Sequence, residues 1–408
     1  MNGSGSLPEE IRALVEGARE WARSARTLME ELAAMESPSG DEAAVREVSE
    51  RFAGLLEERG ARVERHPAPG WGQHLDARLG EGAPPLLVVG HLDTVHPVGT
   101  LERLPVEERT GNDGVPRLYG PGVYDMKGGL ALLLTALELL ESQGRGPGVP
   151  LRILVTADEE VGSPHSRDLL ETAARDASGA LVLEPPLPGG GMKVRRKGMA
   201  GWTLAMEGVP AHAGIEPEKG ASAIHALVGV LEEVVALGRP AEGTTVNVGT
   251  IRGGTTGNVV AESAEARVDV RFRTRAEGAR VTSAMEALRP RDPRCTLRLQ
   301  GGINRGAMEP GPRALEMARR ALEAARPLAR AMGRPEPHTG ATGGGSDGNL
   351  ISAVGCPVLD GLGPDGAGAH TMEEHVLLED LPYRIVLYSL LLSAPGLGAG
   401  TDHGHVQV

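Results

Sequence analysis

The sequence predicts an α/β fold: a discontinuous domain with a mixed, mostly parallel sheet flanked by helices, interrupted by a smaller inserted α+β domain. Three observations carry that prediction. Short apolar runs rich in Val, Ile and Leu, at 85–93, 151–159, 180–184 and 357–362, end in polar residues, as strands covered on both faces do. Between the first two lies GLALLLTALELLES at 129–142, long and apolar enough for a buried helix, which gives the alternation of a layered α/β sheet. From about Lys197 the pattern changes to shorter strands alternating with helices.

In chain order, residues 8–36 place apolar side chains at helical spacing and predict a long amphipathic helix. The turn formers Ser37, Pro38, Ser39 and Gly40 end it, and a second helix follows over 41–60. After the strand and helix runs named above, GWTLAMEG reads as a strand, 221–237 as a helix, 244–252 and 264–274 as alternating strands, and a helix starts near Glu277. That order resembles a ferredoxin-like sandwich on an antiparallel sheet. Helices return at 310–332 and 379–393, with a strand near Val358 between them. The expected division is therefore 1–195 with 307–408 as one domain and 196–306 as the insert. The last residues, GLGAGTDHGHVQV, read as a flexible tail with His403 and His405 solvated.

Composition narrows the function classes. At 408 residues the chain exceeds what one core serves, and 40% hydrophobic content is enough to build two. Its 55 acidic against 42 basic residues give a net charge of -13, which argues against nucleic-acid binding. No basic flank precedes an apolar core near the N-terminus, and no stretch approaches the roughly eighteen apolar residues of a membrane span, so a cytoplasmic protein without membrane contact is expected. Cys295 and Cys356 stand far apart in apolar or strand-like settings, so buried free thiols are expected rather than a disulfide or a thiolate metal site.

Chemistry concentrates at the predicted strand ends, where open α/β sheets bind ligands. GHLDTV puts His91 and Asp93 on one face of a strand end, either as a metal ligand with its orienting carboxylate or as a hydrogen-bonded turn. GPGVYDMKGG holds Asp125 in a glycine-rich turn before the buried helix. TADEEVGS ends a strand in Asp158, Glu159 and Glu160, whose mutual repulsion calls for a cation or a shared proton unless the loop is simply solvated. LVLEPP ends in Glu184, and GAGAHTMEEHV carries His370 after a glycine-rich loop. Two histidines and three carboxylates suit zinc better than copper or an iron–sulfur cluster, with carboxylates numerous enough to bridge two ions.

GHLDTV, GPGVYDMKGG, DEEVGS, EP, GVPAHAG and the late His370 occur in the order and spacing of a known family, over nearly the whole chain. The sequence resembles the co-catalytic dizinc metallopeptidases and amidohydrolases: glutamate carboxypeptidase, aminoacylase, acetylornithine deacetylase and succinyl-diaminopimelate desuccinylase. The resemblance implies two zinc ions, replaceable by cobalt or manganese, with Asp125 as the bridge. His91 would be a ligand of one ion, Glu160 and His370 would complete one site, and Glu184 the other. It implies a cis peptide at Asp125–Met126, Glu159 as the general base, and Asp93 orienting His91. In the insert, His212 of VPAHAG corresponds to a lid histidine that stabilises the oxyanion, and Asn258 and Arg271 to residues that hold a substrate carboxylate. Read from the residues alone, His212 is a solvated loop histidine and Arg271 a surface cation. Gly344 and Gly345 of TGGGSDGN would either bring backbone N–H groups to the substrate or act as a hinge.

The expected reaction is hydrolysis of an amide next to a free carboxylate, as a glutamate carboxypeptidase-like enzyme, with an N-acyl-amino-acid deacylase as the alternative. Glutamate at position 184 tilts the resemblance away from aminopeptidases. A binding protein that kept the fold without the chemistry is the reading from a different class, and an intact Glu159 with all five ligand positions argues against it. The partner expected by resemblance is a second copy, joined through the insert as a homodimer. His66, His74, His96, His165, His225, His338 and His375 show no convergent partners in the sequence and are expected to be structural or surface residues.

Overall fold

The computed structural model describes residues 9–398; the expected tail histidines, His403 and His405, lie outside the described residues. The chain divides into two compact units. The larger comprises the chain up to Arg195, Pro310–Thr342 and the chain from Ser346; the smaller comprises Arg196–Glu309 and Gly343–Gly345. Residues 307–309 and the three glycines, assigned to the larger domain from sequence, therefore fall in the smaller unit. The backbones of Arg196 and Met308 pair, and the Arg196 guanidinium donates to the carbonyls of Gly344 and Gly345 at 3.4 and 3.1 Å.

The larger unit is built on a six-stranded sheet, in the order Arg62–Ala68, Gly72–Leu79, Leu151–Thr156, Leu86–His91, Gly179–Val182, Val358–Leu359. The last four strands run parallel and the first two add an antiparallel hairpin. Leu86–His91 and Leu151–Thr156 are buried along their whole lengths, which is why both read as unbroken apolar runs. From Leu86–His91 the chain crosses to Leu151–Thr156 on one side, then back over to Gly179–Val182 on the other. That reversal opens a crevice at the carboxyl end of Leu86–His91, beyond His91.

Helix Gly128–Ser142 is buried on nearly every side, as its uniform apolar composition requires. It packs against helices Glu9–Ala33 and Leu381–Ser393. Two glycines let its first turn press onto the sheet. A Cβ on Gly129 would lie 2.2 Å from the Leu183 carbonyl oxygen, and one on Gly90 would lie 2.8 Å from the Met126 methyl. The close approach fixes the turn that precedes the helix, and with it Asp125.

The hairpin Arg62–Leu79 has no counterpart among the predicted elements. Its buried positions include Gln73, His74 and Asp76, so hydropathy does not reveal it. Asp76 is matched by a buried Arg152, whose Nε and Nη2 donate to its carboxylate at 3.0 and 2.7 Å.

The smaller unit follows the order strand, helix, strand, strand, helix, strand, with its antiparallel sheet arranged Thr245–Gly253, Ser263–Phe272, Gly198–Glu207, Thr296–Arg305. Helices Ala223–Ala236 and Arg275–Ala287 contribute buried side chains to its core. Thr296–Arg305 was not predicted; it is an edge strand whose residues are mostly exposed, and TLRLQGGINR carries little apolar signal. Cys295 and Cys356 are both buried and free. No described helix is long and apolar enough to cross a membrane.

Candidate metal centre

Three parallel strand ends and two loops converge at the crevice. His91 is the last residue of its strand, Glu159 and Glu160 follow Leu151–Thr156, and Glu184 lies two residues beyond Gly179–Val182. Asp125 is in the turn before helix Gly128–Ser142, and the Asp125–Met126 peptide is cis. His370 is on the hairpin connection between Gly366–Ala367 and His375–Leu377, in a left-handed conformation at φ 63°.

These side chains form two groups that share Asp125: His91, Asp125 and Glu184, and Asp125, Glu160 and His370. Within each, one donor atom per residue lies within 4.8 Å of the others. Asp125 presents one oxygen to each histidine: Oδ1 is 3.3 Å from His91 Nε2 and Oδ2 is 3.3 Å from His370 Nε2. Glu184 stands 3.6 Å from His91 Nε2, and Glu160 stands 3.1 Å from His370 Nε2. Two ligands each about 2.0 to 2.1 Å from a tetrahedral zinc ion lie about 3.3 to 3.4 Å apart. The two Asp125–imidazole spacings of 3.3 Å match that value, and the Glu184 and Glu160 spacings of 3.6 and 3.1 Å bracket it.

The tautomer of His91 also fits a metal. Its Nδ1 is 2.9 Å from the Asp93 carbonyl oxygen, which can only accept, so Nδ1 carries the proton and Nε2 of the neutral ring keeps its lone pair. The groups facing that buried Nε2 are the Asp125 and Glu184 oxygens at 3.3 and 3.6 Å, which as carboxylates only accept, so a neutral ring there calls for a cation between them. The Asp93 carboxylate faces Nδ1 as well, with Oδ1 at 3.5 Å. That carboxylate also accepts from the amides of Glu159 and Glu160 at 3.1 and 3.2 Å and from the Ser39 hydroxyl at 2.6 Å. It therefore fixes the acidic turn opposite His91.

Electrostatics give the same reading. Burial works against a charged His91, yet Asp125, Asp93 and Glu184 hold its pKa well above the ordinary value. Asp125 and Glu160 push His370 up to about 10. Burial opposes an ionised Asp125, but the two imidazoles hold its carboxyl below the usual range. For Glu160, burial wins and its pKa is raised. The carboxylates collect positive charge at both histidines, which is the field a pair of dications would meet.

Several residues that position the centre were not singled out from sequence. Glu374 is buried and accepts from the amides of Gly122, Tyr124 and Asp125 at 3.0, 2.9 and 2.9 Å, so the loop that carries His370 also grips the Asp125 turn. His96, expected to lack a partner, lies 2.6 Å from Glu374 Oε2. Asp347 accepts from Thr156 Oγ1 at 3.0 Å and from the Ser163 hydroxyl. Hints existed in the acidic pair of HTMEEH and the acid of TGGGSDGN, but nothing in their spacing points to residues 122–125 or 156–163.

The remaining candidates lie in the smaller unit. His212 and Asn258 occupy adjoining loops, joined by the amide of Ala213 on the Asn258 carbonyl at 3.0 Å and that of Val260 on the Ala211 carbonyl at 2.9 Å. His212 Nδ1 accepts from the Gly214 amide at 3.2 Å, which leaves the proton of the neutral ring on Nε2. Arg271 is on strand Ser263–Phe272, with Nε donating to Asp269 at 2.8 Å.

A family model described as peptidase family M20/M25/M40 matches residues 87–394. The chain is 28% identical over 382 residues to carboxypeptidase G2 of Pseudomonas sp. (strain RS-16), covering 91% of this chain and 89% of that protein. It is 30% identical over 336 residues to succinyl-diaminopimelate desuccinylase of Methylococcus capsulatus, covering 78% and 86%. Its fold is similar to that of an M20 family metallo-carboxypeptidase from Sulfolobus solfataricus, with a TM-score of 0.70 at 17% identity over 96% of this chain and all of that one.

Proposed function

Because the chain belongs to peptidase family M20/M25/M40 and is a hydrolase with a donor set suited to metal ions, we propose that it cleaves an amide bond beside a free carboxylate as a glutamate carboxypeptidase-like enzyme. The observation that carries the reading is the Asp125 carboxylate set between two imidazoles, each 3.3 Å away. We assign His91, Asp125 and Glu184 to one zinc ion and Asp125, Glu160 and His370 to a second, with cobalt or manganese as substitutes. Bound there, the ions would polarise the amide carbonyl and make the attacking water acidic near neutral pH.

Glu159, buried and fixed through its amide by Asp93, takes the proton of that water and returns it to the leaving amine. His212 carries its ring proton on Nε2, the donor an oxyanion requires. Arg271 and Asn258 recognise the substrate carboxylate, for which a guanidinium fork has matching geometry. The backbone of Gly344 and Gly345 lines the substrate in the same assignment.

The carboxypeptidase reading draws on the likeness to carboxypeptidase G2 over 91% of the chain. The 30% identity to a desuccinylase favours a second reading, removal of an acyl group from an amino acid. A panel of folate-type glutamates, N-acetyl and N-succinyl amino acids, offered to the zinc-loaded protein, separates them. Release of C-terminal glutamate is expected to exceed the other rates at least tenfold, and a preference for N-succinyl substrates would establish the deacylase instead.

A homodimer formed through the smaller unit belongs to the same proposal. Val228 and Val235 on helix Ala223–Ala236 and Ile251 on the edge strand Thr245–Gly253 are exposed, at 45%, 55% and 56%, beside an unpaired sheet edge. Light scattering is expected to return twice the chain mass, and Ile251→Glu to return a monomer; a wild-type monomer at assay concentration rules this out.

A further inference from the structure

The segment 157–166 presents Glu159 and Glu160 on a backbone that needs outside support. Gly162 is left-handed at φ 97°, and Ser163 is left-handed at φ 57° despite its Cβ. Such conformations persist where the surroundings over-determine them. Three carboxylates do part of this. Asp93 holds the amides of Glu159 and Glu160, Asp158 accepts from those of His165 and Ser166 at 2.6 and 3.2 Å, and Asp347 takes the Ser163 hydroxyl.

The fourth support is an imidazole. His74, on the hairpin strand Gly72–Leu79, is buried. Its Nδ1 accepts from the Ala157 amide at 3.1 Å, so that nitrogen carries the lone pair. The proton of the neutral ring is therefore on Nε2, and Nε2 is 2.9 Å from His165 Nδ1. Burial pushes the His74 pKa down to about 4, in keeping with a ring that stays neutral. A buried strand position accommodates an aliphatic side chain at less cost than a desolvated imidazole, and the cost is offset here only because both nitrogens are bonded. One rigid ring thus touches the segment at Ala157, where the chain leaves its strand, and at His165, just before helix Arg167–Asp176.

We propose that His74, with His165, is a positioning residue for Glu159: its imidazole clamps the two ends of the loop and so fixes where the Glu159 carboxylate stands for proton transfer. The inference rests on the assignment of Glu159 as the base. Neither histidine belongs to the metal-donor groups, so their removal acts on turnover rather than on metal occupancy.

Three variants of the full-length protein test it, assayed on the best substrate of the panel, with kcat, KM, bound metal and Tm measured for each. His74→Leu keeps the bulk and loses both bonds. His74→Asn places an oxygen near the Nδ1 position and keeps the Ala157 bond without reaching His165. His165→Ala, at an exposed residue, removes the second bond without disturbing the core. The expected result is a kcat lowered about 10- to 100-fold in His74→Leu, the scale on which small misplacements act. KM and metal content stay within twofold, His74→Asn recovers part of the loss, and His165→Ala loses about three- to tenfold with Tm unchanged. The proposal is overturned by an unchanged kcat in His165→Ala or His74→Leu, by asparagine performing no better than leucine, or by metal loss that accounts for the fall. Should His74→Leu fail to fold, His74→Asn and His165→Ala decide alone. Glu159→Gln run beside them keeps the two ideas apart: wild-type turnover there removes the base assignment itself, whereas an inactive Glu159→Gln with unaffected histidine variants removes only the clamp.

Discussion

Replacement of Asp125 by alanine is expected to empty both metal positions together and to lower kcat/KM by at least about a thousandfold, the rate equivalent of several kcal/mol of lost charge stabilisation. Each oxygen of this carboxylate faces a different imidazole, so no single neighbour can replace it. Metal analysis after dialysis should find about two ions per wild-type chain and essentially none in the variant. A variant that retains one tightly held ion would show that the two donor groups are independent, contrary to the assignment. The same geometry fixes the sign of a pH effect. Without metal, Asp125 and Glu160 hold His370 protonated up to about 10, and a metal requires the neutral ring. Protons therefore compete with the ion, and affinity should rise as the pH is raised from 7 towards 10. Calorimetry in buffers of different ionisation enthalpy should record proton release on binding; a pH-independent affinity would contradict it.

Glu159→Gln is expected to lower kcat by about 10²- to 10⁴-fold, the usual contribution of a positioned acid and base, while leaving the metal in place. Glutamine keeps the size of the side chain and the backbone bond from its amide to Asp93, so the turn that carries Glu160 should survive. Metal content equal to wild type, a similar KM and a collapsed kcat make up the expected pattern. Loss of metal in the variant would instead place Glu159 among the ligands. Wild-type turnover would mean that another group takes the proton.

The candidate metal donors were legible because the fold advertises them. His91 and the acidic turn 158–160 terminate strands buried on both faces, and Glu184 follows another just past its end, so an apolar run that ends in an acid or a histidine marks the carboxyl edge of the sheet. What supports them was hidden for physical reasons. Asp93 bonds His91 most closely through its carbonyl, an atom every residue has, and its carboxylate also holds the amides of the acidic turn. Glu374 and Asp347 act on backbone and hydroxyl groups far away in sequence, and such partners leave no periodicity. The hairpin Arg62–Leu79 escaped prediction because its inward positions include Gln73, His74 and Asp76, which bury polarity that is satisfied only by Arg152, Ala157 and other tertiary partners. Thr296–Arg305 escaped because an exposed edge strand has little apolar face to display.

The grip of Glu374 on the Asp125 turn has a bearing on how the protein would acquire the proposed ions. Donors drawn from opposite ends of a long chain usually rely on the incoming cation to gather them, and ordering the chain then weakens the binding. Here the loop of His370 is already bolted to the amides of Gly122, Tyr124 and Asp125, with His96 backing the bolt. These bonds join protein groups alone, so the frame of the proposed site does not depend on an ion to hold it. Chelation should accordingly strip the metal without loosening the frame, and a different ion can be seated afterwards without a cycle of unfolding.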